Sequence, residues 1–175
     1  MKITERLKNM NFKKTLKEVA IFALLLFIFS NALSYLKSPD LSDTKLPEFQ
    51  ATMLDGKSFD SLHVSKDKPL LIHFWATWCP TCKMENSTID TLSKKFDVIT
   101  IAVNSKSDAD IQTFLKEKNL SFQVINDTNS SLAERFHVSG FPTTYIYNKN
   151  GNLEFSEVGY SSYITLYLKL LYASR

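Results

Sequence analysis

Residues 69–76 (PLLIHFWA) form a continuous apolar run. A strand of this composition has no face to offer to water, so it must lie inside a sheet that is covered on both sides. The run stops at Thr77, and a helix is expected from residue 80 to about residue 95. Strand-like segments at 98–104 (VITIAVN) and 121–125 are separated by a helical segment at 108–118, where Ile111, Phe114 and Leu115 are spaced for one face. A short helix at 130–136 follows. Segments 143–148 and 153–158 flank Asn150-Gly151 and read as an antiparallel hairpin, and a last helix is expected near 163–172. Upstream, 49–53 and 57–59 flank Asp55-Gly56 and make an N-terminal β extension. Alternating units closed by a hairpin and a helix define an α/β fold with a mixed central sheet flanked by helices.

The N-terminal segment is of another kind. Residues 19–36 carry no charge. As a helix rising about 1.5 Å per residue they span roughly 27 Å, close to the hydrocarbon thickness of a bilayer. Lys2, Arg6, Lys8, Lys13, Lys14 and Lys17 precede this stretch against Glu5 and Glu18, and Lys37 alone closely follows it. By the positive-inside rule the N-terminus is cytoplasmic and all that follows the span is outside. The expected organisation is a cytoplasmic basic tail at 1–18, a transmembrane anchor at 19–36, an extended linker at 37–47 (KSPDLSDTKLP) and a folded domain at 48–175. Two other readings use the same residues. One is a cleaved signal peptide with its apolar centre at 19–29 and Ser30-Asn31-Ala32 as the cleavage site. The other is a buried core helix. Anchor and signal both place the folded domain outside the cytoplasm. The first eighteen residues more than account for the formal charge of +3, so the folded part has no basic excess with which to bind nucleic acid.

Cys79 and Cys82 are the only cysteines, too few and too close for a disulfide scaffold. Pro80 suits the first helical position, because the N–H it lacks would be orphaned there. Cys79 therefore stands at a helix N-terminus, where free N–H groups and the helix dipole favour an anion. Such sites lower a thiol pKa from about 8.5 to roughly 3.5–7.5. Lys83, one turn on, adds weakly to this. The thiolate of Cys79 can attack a disulfide, and Cys82, one turn along the same helix, can then attack Cys79 and release the product. A structural zinc needs four ligands, and no second Cys or His pair is present. Haem attachment needs His where Lys83 stands. An inert disulfide closing so short a loop adds little stability. No cofactor and no metal are expected.

Glu85 completes the catalytic set. Cys82, Glu85, Ile89, Leu92 and Phe96 succeed one another at spacings of 3, 4, 3 and 4, which puts Glu85 on the inward face beneath the cysteines. A half-buried carboxylate has a raised pKa and can accept the Cys82 proton near neutrality. The plain alternative is a surface Glu early in the helix, placed to suit its dipole. Within Gly140-Phe141-Pro142-Thr143, a proline in a tight turn at a strand start admits a cis bond, although local sequence alone defaults to trans.

Through the block FWATWCPTCK at 74–83 and GFPTTYIYNKNG at 140–151, together with the N-terminal span, the chain resembles the thioredoxin superfamily over residues 46–175. It is most similar to the membrane-anchored TlpA/ResA/DsbE type, which includes ScsD-like copper-sensitivity suppressors. The resemblance implies a thioredoxin fold with a central helix–strand insertion between Cys82 and Pro142. It implies that Pro142 is cis and packs on the cysteines. Trp78, Pro80, Phe141 and Pro142 become the substrate-contacting residues, and Glu85 matches an acidic residue of the anchored group. His73 stands where thioredoxins proper keep a buried Asp, and reads as a neutral, hydrogen-bonded core histidine. The implied activity is that of a protein disulfide oxidoreductase, a single-pass inner-membrane protein with a periplasmic domain. It would take electrons from a membrane thiol donor and reduce disulfides of client proteins, such as apocytochromes or proteins damaged by oxidative or copper stress. A disulfide-forming oxidant and a Cu(I)-binding chaperone are the alternatives.

Overall fold

A computed structural model describes residues 45–64 and 67–175, together with the helical positions 17–19, 21, 22 and 25. The chain divides into two units, 1–37 and 38–175. The anchor expected at 19–36 and the linker expected at 37–47 lie largely outside the described residues. Among the described residues no helix is long and apolar enough to cross a membrane.

Strands β1 (Gln50–Thr52) and β2 (Ser58–Asp60) pair as the expected hairpin, with Gly56 at φ +83° in the turn. A single 3-10 turn, Ser61–His63, follows. Then come β3 (Leu70–Trp75), α1 (Pro80–Ser93), β4 (Asp97–Val103), α2 (Asp108–Glu117), β5 (Gln123–Asp127), α3 (Ser131–Arg135), β6 (Thr143–Tyr147), β7 (Leu153–Val158) and α4 (Tyr163–Ala173). The main sheet has the order β5-β4-β3-β6-β7. β3 and β5 flank β4 in parallel, while β6 runs antiparallel to both β3 and β7. This is a thioredoxin fold with a mixed sheet and flanking helices.

The run at 69–76 becomes β3, the central strand, and every residue of it is buried. Its side chains alternate between two cores. Leu71 and Trp75 pack with Ile89, Leu92, Leu166 and Leu170 beneath α1 and α4. Leu70, Ile72 and Phe74 pack on the other face with Phe49, Phe59, Phe136 and Tyr145. The β1–β2 hairpin thus covers one face. The turn between its strands also reaches the sheet edge, where Met53 bridges Ile125 and Leu54 N–H donates to Val124 O at 2.9 Å. Left uncovered, that strand edge would template further pairing.

Side chains set the helix starts. Ser107 and Asp110 form a capping box on α2. The Ser162 hydroxyl accepts from Thr165 N–H to start α4. α4 buries Leu166, Leu170 and Ala173, while Ile164, Leu168 and Leu171 stay exposed. Most strand bounds differ from the sequence reading by one residue, and β5 by two: it starts at Gln123 rather than at 121 and runs to Asp127. Ser121 is withheld from the sheet because the Asp90 carboxylate of α1 accepts both its N–H and its hydroxyl. At the far end Asp127 extends the ladder, since its carboxylate has work to do there. It accepts from Leu132 N–H at 3.2 Å and Ala133 N–H at 2.9 Å, capping α3. Asp127→Ala should cost about 1–2 kcal/mol of stability in urea unfolding. An unchanged midpoint would remove the capping role.

Candidate active site

β3 ends at Trp75, and the chain turns through Ala76-Thr77-Trp78 with Cys79 N–H donating to Ala76 O at 3.2 Å. Cys79 is the N-cap of α1, with extended backbone at φ −80° and ψ 117°, and Pro80 fills the first helical position. Its Sγ accepts from Cys82 N–H at 3.2 Å. A sulfur thus takes the place that a Ser or Asp oxygen fills at most helix starts. Cys79 and Cys82 are joined as a disulfide with their Cα atoms 5.3 Å apart. Cys82 is wholly buried and Cys79 is 4% exposed. Pro80 and Lys83 lie on the surface.

Glu85 is fully buried on the inward stripe with Cys82, Ile89 and Leu92, so the surface alternative does not hold. Its Oε2 accepts from Ser161 N–H at 3.3 Å, and among the described residues Oε1 has no partner. Burial pushes its pKa from 4.5 up to about 7, and the Ser161 N–H opposes part of that rise. The carboxyl is therefore poised to change its charge near neutrality.

The Phe141–Pro142 peptide is cis. Thr143 Oγ1 donates to Gly140 O at 2.7 Å, closing the turn. Pro142 O accepts from Gly159 N–H at 2.8 Å. Phe141 meets Trp78 edge to face, with ring centroids 5.8 Å apart. The structure therefore gathers Trp78, Cys79, Cys82, Phe141 and Pro142 at the carboxyl end of β3, and sets Glu85 under them.

His73 is buried on β3, with Nδ1 2.9 Å from Thr144 Oγ1 on β6. Burial pulls its pKa down to about 3, so it is neutral at physiological pH, as a core histidine should be. Among the described residues no group of three or more His, Cys, Asp or Glu side chains is placed to hold a metal ion.

Two pieces of the site were not singled out from the sequence. One is the β4–α2 loop, where Ser105 Oγ accepts from Thr77 N–H and Asn104 O accepts from the Trp78 indole. The other is Gly159-Tyr160-Ser161, which touches both Pro142 and Glu85. The available signal for the first was position. Both loops following adjacent parallel strands lie where open α/β sheets bind their ligands.

A disulfide at a helix N-terminus, a cis-proline beside it and this sheet order define a dithiol–disulfide exchange protein of thioredoxin fold. Comparison with known proteins agrees. Residues 43–156 match the AhpC/TSA family. A thioredoxin-like protein of Haemophilus influenzae is 27% identical over 165 residues, covering 94% of this chain and 98% of the relative. The thiol:disulfide interchange protein DsbE of Vibrio cholerae is 32% identical over 163 residues, covering 86% of this chain and 87% of the relative. Among solved structures, a thiol:disulfide interchange protein of the thioredoxin family from Chlorobium tepidum superposes with a TM-score of 0.67 at 25% identity, over 75% of this chain and 97% of that one. The chain belongs to the AhpC/TSA family and, within it, is a thiol–disulfide oxidoreductase of the TlpA/ResA/DsbE type.

The Glu85 shift has a consequence for stability. Folded Glu85 takes up its proton near pH 7, whereas the unfolded chain does so near 4.5. The native state therefore binds more protons between those values, and its stability falls as pH rises through that window. Glu85→Gln abolishes this loss. Urea unfolding of the oxidised protein should show the variant gaining about 1–3 kcal/mol on the wild type between pH 5 and pH 8. A difference that is flat with pH would put the carboxyl in water.

Proposed function

We propose that this oxidoreductase is an extracytoplasmic reductase, tethered to the inner membrane by residues 19–36 with its N-terminus in the cytoplasm. Support for the tether comes from the uncharged stretch, the basic residues before it and the polar linker at 37–47. In the proposed cycle, the Cys79 thiolate attacks one sulfur of a client disulfide. A mixed disulfide forms and the other client sulfur leaves as a thiolate. The Glu85 carboxylate takes the Cys82 proton, and Cys82 attacks Cys79 Sγ. The client departs with both its sulfurs reduced, and Cys79–Cys82 carries the oxidised disulfide. A membrane thiol donor then returns two electrons and restores the dithiol. Trp78, Pro80, Phe141 and Pro142 line the surface along which the client lies. Apocytochromes awaiting haem, or proteins oxidised under copper stress, are the client classes in view.

The observation that carries the direction is the surroundings of the sulfurs. Strong oxidants of this fold owe their potential to a stabilised reduced thiolate. Here Pro80 removes one N–H from the first turn, and among the described residues Cys79 Sγ accepts one backbone N–H, that of Cys82. The buried carboxyl of Glu85 beneath the pair disfavours a second negative charge. Both features leave the Cys79 thiolate less stabilised than a fully hydrogen-bonded cap would, and so favour the disulfide over the reduced pair, which makes the dithiol a reductant. A reduction potential near the thioredoxin value of about −270 mV is expected, whereas one near −120 mV reverses the flow and makes the protein a disulfide-forming oxidant.

Two further outcomes check the cycle. Cys82→Ser should hold clients on Cys79 as mixed disulfides, visible as reductant-sensitive bands on non-reducing gels and absent from Cys79→Ser. With Glu85→Gln, the resolving step should slow by roughly 10²-fold and lose its rise through pH 7. A resolution rate with the wild-type pH profile rules out the carboxyl as the proton acceptor.

A further inference from the structure

Trp78 presents a paradox of exposure. The residue is 57% exposed, which is unusual for so large an apolar group, yet its ring is held by two contacts and its chain neighbour by a third. The indole N–H donates to Asn104 O at 3.1 Å. The Phe141 ring meets it at 5.8 Å and 83°. Immediately before it, Thr77 N–H donates to Ser105 Oγ at 3.0 Å.

The loop that supplies these contacts is itself held in an uncommon shape. Asn104 and Lys106 lie at φ +46° and +73°, on either side of the wholly buried Ser105. Non-glycine residues in that region are uncommon, and Asn is among the few that accept it readily. Three contacts hold the shape. Asn104 N–H donates to Asp127 O at 3.1 Å. Asn104 Nδ2 donates to Ser130 Oγ, at the start of α3, at 2.7 Å. Ser105 Oγ donates to Val103 O at 3.1 Å while it accepts from Thr77. The hydroxyl of Ser105 is thereby used in both directions, and Asn104 ties the loop to the end of β5 and the start of α3.

We infer that Asn104 and Ser105 are positioning residues that hold Trp78 as a rigid apolar wall beside Cys79, and that this wall selects client segments with an aromatic or aliphatic side chain next to the reactive cysteine. An exposed tryptophan free to turn would lose its rotamer freedom each time a client bound. Held beforehand, the ring offers its face at no such cost. An aromatic side chain laid on it gains about 0.5–1.5 kcal/mol beyond the area it buries, whereas a carboxylate in that place loses water for no return.

The inference rests on the proposed contact between Trp78 and clients, and the test separates the two. The full reduced chain is given two disulfide-bridged peptides that differ only in having Phe or Asp beside the cysteine. The wild type should prefer the Phe peptide through KM. In Asn104→Ala and Ser105→Ala, KM for the Phe peptide should rise about threefold to tenfold with kcat unchanged. Asn104→Asp keeps a partner for the Ser130 hydroxyl and tolerates the same backbone, so it should retain the wild-type KM. Thermal unfolding of each variant shows whether it is folded at the assay temperature. If the folded alanine variants keep the full preference, Asn104 and Ser105 do not position the wall, although Trp78 still touches the client. If the wild type itself prefers neither peptide, Trp78 makes no selective contact and both readings fall.

Discussion

The site depends on one junction, where a strand buried on both faces ends and a helix begins with a sulfur as its cap. Cys79 accepts the Cys82 N–H, closes the disulfide to the same residue and follows directly on the turn that leaves β3. Because β3 is the middle strand of five, its carboxyl end opens between the loops of its neighbours rather than at an edge. The β4–α2 loop comes from one side and the cis-proline turn before β6 from the other. The segment leading into α4 meets both that turn and Glu85. A helix started two residues earlier or later would turn the sulfurs away from all of them, since two residues rotate a helix face by more than half a turn.

Among the described residues, Glu85 is the one buried carboxyl of α1 that no cation answers. By contrast, Asp90 on the same helix has Lys94 at 2.7 Å and the Ser121 hydroxyl at 2.9 Å. A leucine in the Glu85 position would fill the core and avoid the cost of burying a charge. One place where the interior departs from the rules of good packing lies one turn from Cys82, and such departures belong at sites of chemistry. His73 makes the contrast plainer. It too is buried, yet burial drives it to neutrality far from working pH, where it serves as a hydrogen-bonded spacer between β3 and β6.

What could be read from the chain in advance was whatever depends on short range. The unbroken apolar run of β3, the 3–4 spacing from Cys82 to Phe96 and the Asp55-Gly56 and Asn150-Gly151 turns are all local, and they indicate the central strand, the inward aim of Glu85 and both hairpins. The cis peptide at Pro142 came from resemblance, since the local sequence leaned the other way. The rest is long-range. Ser105 meets Thr77 across 28 residues, Asn104 meets Trp78 across 26, and Ser161 meets Glu85 across 76. No periodicity announces such pairs. The start of β5 was misplaced for the same reason, because Ser121 is taken by Asp90 from 31 residues upstream.

The three residues Gly159 to Ser161 unify the site. Gly159 N–H holds Pro142 O, and two residues later Ser161 N–H holds Glu85 Oε2. Gly159 adopts φ +95°, a conformation that side chains rarely allow, and it lets the chain leave β7 and pass under the cis-proline. The backbone that meets the proposed client path and the carboxyl proposed to take the resolving proton are thus fixed to one short segment. Any displacement of that segment changes the single N–H that opposes the rise in Glu85 pKa. The proposed proton chemistry and docking surface are therefore not separable parts of this fold, although Glu85 and the Ser161 N–H that holds it lie 76 positions apart.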